Sequence, residues 1–348
     1  VTDESEDGEV DGAGGPDPET SRVCVVGAGA VGGLVGARMA MSGVDVTLLD
    51  RGPHLAAMQD AGGPLVVDRD GARERVEDLR VTGDPGSAGR HDVVFLAVKT
   101  YDLPEAAESV PPVMGDDAVV VPLQNGIPWW YFYRSPGPYE GRRLESLDPD
   151  GRIAEHIDAS RVLGCVPYVA SELPEPGVIR HHEGKWFPVG EPDGRESERG
   201  AHVRDLFERG GFGSRVLPDI RSEIWLKAWG SLAFNPISVL TRATLGEICR
   251  DPGTRGVARG MMEEAQAVAE ALGASFRRSI DRRIEGAEAV GDHKTSMLQD
   301  LEAGHRLELE GLVGSVLELA RLTGQPAPRI RTVYALVDLL ISKGSGSS

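Results

Sequence analysis

The apolar run Arg22-Val23-Cys24-Val25-Val26 passes directly into Gly27-Ala28-Gly29-Ala30-Val31-Gly32, an order that leaves few folds open. An unbroken apolar run suits a strand buried on both faces of a parallel sheet. Ala30 to Ser42 is rich in small residues and reads as a helix, Gly43 fits its end, and Val44 to Leu49 reads as a second strand closing on Asp50. In that setting each glycine has a task. Gly27 permits the tight turn, Gly29 lets the backbone approach a pyrophosphate, and Gly32 lets helix and strand pack closely. The phosphates then sit on the helix N-terminus. Dinucleotide binding through Gly27, Ala28, Gly29, Ala30, Val31 and Gly32 is the expectation, against the plainer reading of an ordinary turn.

Asp50 stands where an acidic side chain can accept hydrogen bonds from the adenosine ribose hydroxyls, which favours NAD(H) and repels a 2′-phosphate. Arg51 beside it can pair with that phosphate, which favours NADP(H). The preference rests on which of the two faces the ribose.

The 348 residues are enough for two domains, and 40% are hydrophobic, enough for a sizeable core. No apolar run approaches the ~18 residues of a membrane-spanning helix, so no membrane partner is expected. The net charge of −18 repels phosphate backbones, so no nucleic acid is expected either. Residues 1–21 read as a disordered acidic tail, with neither the basic start nor the apolar middle of a signal peptide. Cys24, Cys165 and Cys249 show no metal-type spacing, and a cytoplasmic setting is expected. His181 and His182 are adjacent in a strand and point to opposite faces, so no metal site is expected. The terminal residues 343–348 read as a flexible linker. A homodimer is compatible with this composition, which does not fix an oligomeric state.

Further strands are expected at Val76 to Thr82, His91 to Val98 and Ala118 to Leu123, the last two ending at Lys99 and at Gln124-Asn125-Gly126. Ligands in such sheets bind beyond the carboxyl ends of the strands, which makes Lys99 and Asn125 candidates for cofactor or substrate contact. The run Trp129-Trp130-Tyr131-Phe132-Tyr133 cannot all face one way, and inter-domain packing and pocket lining both stay open for it. Arg161 to Ala170 and Gly177 to His182 read as strands, and Glu196 to Arg209 as a helix. Leu217-Pro218 is the expected boundary between a domain at 22–217 and one at 218–342.

After Pro218 the apolar period becomes that of a helix, with Ile220, Ile224, Ala228 and Leu232 in register. Lys227, Ser231 and Asn235 form a polar ridge beside that stripe. A lysine there can snorkel to water, or its company can mark a catalytic group. Helices are also expected at Thr254 to Leu272, Arg278 to Val290, Asp300 to Thr323 and Pro328 to Ile341. In the third of these Glu308 falls on the apolar face, where a carboxylate needs a partner. The partner is either an arginine of a neighbouring helix or Lys227 across a cleft.

The chain resembles the ketopantoate reductase family (2-dehydropantoate 2-reductases) over nearly everything from Arg22 to Ile341. The resemblance rests on the Gly27, Gly29 and Gly32 motif, Leu96-Ala97-Val98-Lys99, Leu123-Gln124-Asn125-Gly126, Trp225-Leu226-Lys227 continuing to Asn235-Pro236, Lys294-Thr295-Ser296-Met297-Leu298-Gln299-Asp300, and Glu308. It implies an α/β fold: a Rossmann-type dinucleotide-binding domain followed by an all-helical domain, with cofactor and a 2-oxo acid between them. It also implies that Lys227 is the general acid and that Asn125 and Lys99 lie near the nicotinamide. Asn235, Ser296 and Glu308 would then bind substrate or orient the lysine. Ser231 departs from the family's usual asparagine and offers a shorter hydroxyl with fewer donors. Asp50 departs from a family whose better-known members use NADPH. Ketopantoate is the leading substrate. An NAD-dependent 2-hydroxy-acid dehydrogenase acting on another branched or aromatic 2-oxo acid is the alternative, and a non-catalytic redox sensor is the alternative from another class.

Overall fold

The computed structural model describes residues 21–77 and 79–344; the acidic segment 1–20 and residues 345–348 lie outside the described residues. Ser21, counted with the tail on sequence grounds, is buried, and its hydroxyl bonds to Nε2 of His202 at 2.8 Å.

A five-stranded sheet forms the first half's core, in the spatial order Arg80–Thr82, Asp45–Leu49, Arg22–Val26, His91–Leu96, Met114–Pro122. Every neighbouring pair is parallel, with Val25 opposite both Leu48 and Phe95. Val23, Cys24 and Val25 are fully buried, as a central strand covered on both faces must be. The strand order reverses at Arg22–Val26, so the loops after it and after His91–Leu96 diverge and leave a crevice at their carboxyl ends.

The helix Ala30–Met41 covers one face of this sheet. It also supports a second, four-stranded sheet in the order Arg73–Arg75, Leu65–Val67, Val178–Trp186, Tyr168–Glu175. A Cβ at Gly33 would fall 2.6 Å from Cδ1 of Ile179, so the missing side chain is what lets the second sheet approach. Pro167 lacks an N–H, and the single strand expected over 161–170 is instead a two-residue piece, Gly164–Cys165, and a new strand from Tyr168. Of the strand expected from Val76 to Thr82, the strand described is Arg80–Thr82. The helix Gly52–Asp60 and the strands Leu65–Val67 and Arg73–Arg75 are additional to the elements expected from the sequence.

From Ile220 onward every regular element among the described residues is a helix. Asp219 caps the long helix Ile220–Thr241 by accepting the Ser222 N–H at 2.9 Å. Trp225, Trp229, Leu232, Ala233 and Phe234 are all buried, so this helix is covered on nearly every side. Pro252–Ala271, Ser296–Glu302 and Pro328–Gly344 pack around it, and a short helix, Leu245–Arg250, begins with a Thr244/Glu247 capping box.

The single helix expected from Asp300 to Thr323 is two. Ser296–Glu302 stops at a turn in which Gly304 adopts φ +73°, a left-handed conformation that ends helices. The chain becomes helical again just after Glu308, through a π-type turn at Glu310–Gly314, and continues as Ser315–Thr323. No helix among the described residues is long and apolar enough to cross a membrane.

Candidate active site

The glycine turn lies at the point where the strand order reverses. Gly27 holds φ +90°, and its N–H donates to the Leu49 carbonyl at 2.9 Å. A Cβ on Gly27 or Gly32 would fall 2.6 Å from Cγ1 of Val98 or the Cβ of Ala97, so both glycines are demanded by the neighbouring strand end. A Cβ on Gly29 would meet nothing within 4 Å. That open space lies at the start of Ala30–Met41, where unpaired N–H groups attract phosphate. The residues therefore fit a dinucleotide. His54 steadies the loop: its Nδ1 accepts the Gly177 N–H at 2.9 Å, which leaves Nε2 to donate to the Ala28 carbonyl at 3.0 Å.

At the end of the second strand, Asp50 accepts the Arg51 N–H at 2.8 Å. Burial raises its carboxyl pKa, with that hydrogen bond and the charge of Arg51 pulling the other way. The Arg51 guanidinium is engaged by Glu105 at 2.8 Å and Asp102 at 3.0 Å.

Beyond the fourth strand of the sheet, Lys99 joins the two halves of the molecule. Its ammonium pairs with Asp300 at 2.7 Å and Glu308 at 3.3 Å. Burial opposes the charge, but the two carboxylates outweigh it and hold the pKa above the usual lysine value. The other oxygen of Glu308 accepts the N–H of Thr100 at 3.0 Å and its hydroxyl at 3.1 Å. Both expectations for Glu308 are thereby corrected: it pairs neither with Lys227 nor with an arginine of a neighbouring helix. The break at Gly304 removes Glu308 from a helical face and sets it against the first domain, where Lys99 and a backbone N–H are the donors at hand. Gly311 makes this approach possible, since a Cβ there would fall 2.6 Å from Oγ1 of Thr100.

Asn125 follows the last strand of the sheet. Its neighbour Gln124 donates to the carbonyls of Leu96 at 2.8 Å and Val98 at 3.1 Å, tying the two strand ends together. Asn125, Gly126, Trp130, Cys165, Ile224 and Lys227 line one pocket. Lys227 is partly buried on the long helix, donates to the Pro167 carbonyl, and has its Nζ 5.6 Å from the centre of the Tyr168 ring. Burial pushes its pKa down to about 8; Arg283 adds to the effect, and Cys165 and Glu308 oppose it. One further turn along the ridge is Ser231, and beyond it Asn235, whose amide reaches the Ser296 hydroxyl at 3.4 Å. Ser238 bonds to Thr295 at 2.5 Å, and Thr295 caps the helix beginning at Ser296, so Ser296 is held beside the long helix.

The aromatic run divides between its two expected roles. Trp130 lines the pocket, whereas Tyr131 packs on the long helix and its hydroxyl accepts the Trp225 indole N–H at 2.8 Å. Thr100, Gln124 and Asp300 were not singled out from sequence. Asp300 closes the Lys294 to Asp300 motif, which was the available signal. Among the described residues no group of three or more His, Cys, Asp or Glu could hold a metal ion, and the three cysteines are free thiols.

Comparison with known proteins gives two family matches, ketopantoate reductase PanE/ApbA over residues 23–194 and the ketopantoate reductase PanE/ApbA C-terminal family over residues 219–340. A 2-dehydropantoate 2-reductase of Mesorhizobium japonicum is 47% identical over 317 residues, covering 91% of this chain and 96% of that protein. One from Halobacterium salinarum is 32% identical, covering 91% and 98%. The crystal structure described as a ketopantoate reductase from Ralstonia solanacearum MolK2 superposes with a TM-score of 0.88 at 40% identity, covering 94% of this chain and 99% of that one.

Proposed function

Since the chain belongs to the ketopantoate reductase family and is an oxidoreductase of the class acting on CH–OH groups, we propose that it reduces 2-dehydropantoate to pantoate with a nicotinamide cofactor, using Lys227 as general acid. The observation that carries this reading is that Lys227 and Asn125, from different domains, line one pocket. When bound, the reduced nicotinamide supplies a hydride to the ketone carbon. Negative charge then builds on the ketone oxygen, and the Lys227 ammonium stabilises it and releases a proton from Nζ. A pKa lowered to about 8 makes Lys227 a stronger acid than a free lysine while leaving it mostly protonated at neutral pH.

Gly27, Ala28, Gly29, Ala30, Val31 and Gly32 bind the pyrophosphate through backbone N–H groups. Lys99 and Asn125 face the nicotinamide end, with Lys99 held by Asp300 and Glu308. Ser231, Asn235 and Ser296 offer hydroxyl and amide groups to the substrate. Glu308 acts on Lys227 through its charge and on the cleft through Lys99 and Thr100, as a positioning residue.

A second reading, an NAD-dependent 2-hydroxy-acid dehydrogenase for another branched or aromatic 2-oxo acid, is favoured by Asp50 and by the engagement of Arg51 with Asp102 and Glu105. Initial rates with ketopantoate, run side by side with NADPH and NADH and repeated with other 2-oxo acids, separate the two. A clear ketopantoate preference supports the first reading. Turnover of another 2-oxo acid alone, with NADH, replaces it with the second, and turnover of none defeats both.

A further inference from the structure

Arg283, on the helix Ile280–Val290, stands beside the polar ridge of the long helix and is absorbed by none of the roles above. Its guanidinium lies over Gly230: a Cβ there would fall 2.7 Å from Cζ. Position 230 is three residues after Lys227 and one before Ser231, so Arg283 reaches the same side of the helix as the proposed acid.

The carboxylates around it are taken by other arginines. On its own helix Asp281 pairs with Arg259, Glu285 with Arg282 at 3.3 Å and Glu288 with Arg255 at 2.9 Å. On the long helix Glu223 pairs with Arg277 at 2.5 Å. Among the described residues the Arg283 guanidinium has no ion-pair or hydrogen-bond partner. Burial, and then the charge of Arg278, press its pKa downward, with Tyr168 and Cys249 pulling the other way. A desolvated cation without a counter-charge is costly unless an anion arrives to meet it.

A 2-oxo acid is such an anion. Its carboxylate is bonded directly to the carbonyl carbon, so a group that binds it must stand close to the acid that protonates the carbonyl oxygen. The planar guanidinium fork matches a carboxylate with two parallel hydrogen bonds, which the single hydroxyl of Ser231 cannot offer. We propose that Arg283 binds the carboxylate of the 2-oxo acid substrate, with Gly230 providing the space for its guanidinium. This proposal rests on the reductase reading above.

The test compares wild type with Arg283→Met, Arg283→Lys and Gly230→Ala. Gly230→Ala is a milder perturbation that displaces the guanidinium without removing it, and alanine suits a helix. The carboxylate carries the same charge before and during hydride transfer, so the loss falls on KM rather than kcat. Arg283→Met is expected to raise KM for ketopantoate about tenfold to a hundredfold, as for loss of a charged hydrogen-bonded pair. Pantoate binding measured by calorimetry weakens by a similar factor, and cofactor affinity is unchanged. Arg283→Lys recovers part of the loss, and Gly230→Ala moves KM in the same direction as Arg283→Met. With the methyl ester of the 2-oxo acid, which lacks the charge, the gap between wild type and Arg283→Met closes. An unchanged KM and pantoate affinity in Arg283→Met, or an equal loss with the ester, overturns the role of Arg283 and leaves the reductase intact. A wild-type protein that turns over no 2-oxo acid overturns both.

Discussion

The depressed pKa of Lys227 predicts where the pH profile of the enzyme bends. Reduction needs the ammonium form, and burial brings its pKa down to about 8 from the ordinary 10.5. For one titrating acid the active fraction at pH 9 is about one-eleventh of the plateau, and at pH 10 about one-hundredth. A lysine at its ordinary value would keep the rate flat to about pH 10. The sign reverses for oxidation of the hydroxy acid, which needs the neutral amine to accept a proton, so that rate climbs through the same pH. The assay is kcat/KM for ketopantoate reduction from pH 6 to 10.5, because this parameter reports groups of the free enzyme, the state whose geometry sets the value of about 8. A reduction rate that stays flat to pH 10 would refute the argument, as would the same bend persisting in the residual activity of Lys227→Ala.

Three substitutions probe the supports of the site. Gly32→Ala drives a Cβ to 2.6 Å from that of Ala97, and it should weaken cofactor binding at least about tenfold and destabilise by about 1–3 kcal/mol; normal affinity in a calorimetric titration would show that the turn tolerates a side chain. Glu308→Gln leaves Lys99 with Asp300 alone and weakens the tie to Thr100, and urea unfolding should read a loss of about 1–3 kcal/mol. Trp225→Phe strips the buried Tyr131 hydroxyl of its indole donor, for a similar loss at unchanged m-value; an unaltered midpoint would mean that the hydroxyl finds another partner.

The parallel sheet was legible because a strand covered on both faces is written as a continuous apolar run. Val23 to Val26 and Val93 to Leu96 are such runs, and they fixed the glycine turn at the sheet's carboxyl edge. The long helix was legible through its period, and with it the ridge Lys227, Ser231, Asn235. Its neighbour was misread because apolar spacing continues across Gly304, whose left-handed turn leaves no mark on periodicity. That one break decides the partner of Glu308. The ion pair between Lys99 and Asp300 spans 201 residues of sequence, and no local pattern announces such a contact. Arg283 was equally hidden, because being unpaired depends on which carboxylates its neighbours have already claimed.

The central claim is that Lys227 supplies the proton, and comparing kcat for ketopantoate reduction in wild type and Lys227→Ala tests it most directly. The account predicts a fall of about 10² or more, with cofactor affinity retained. Equal turnover in the two proteins would contradict it.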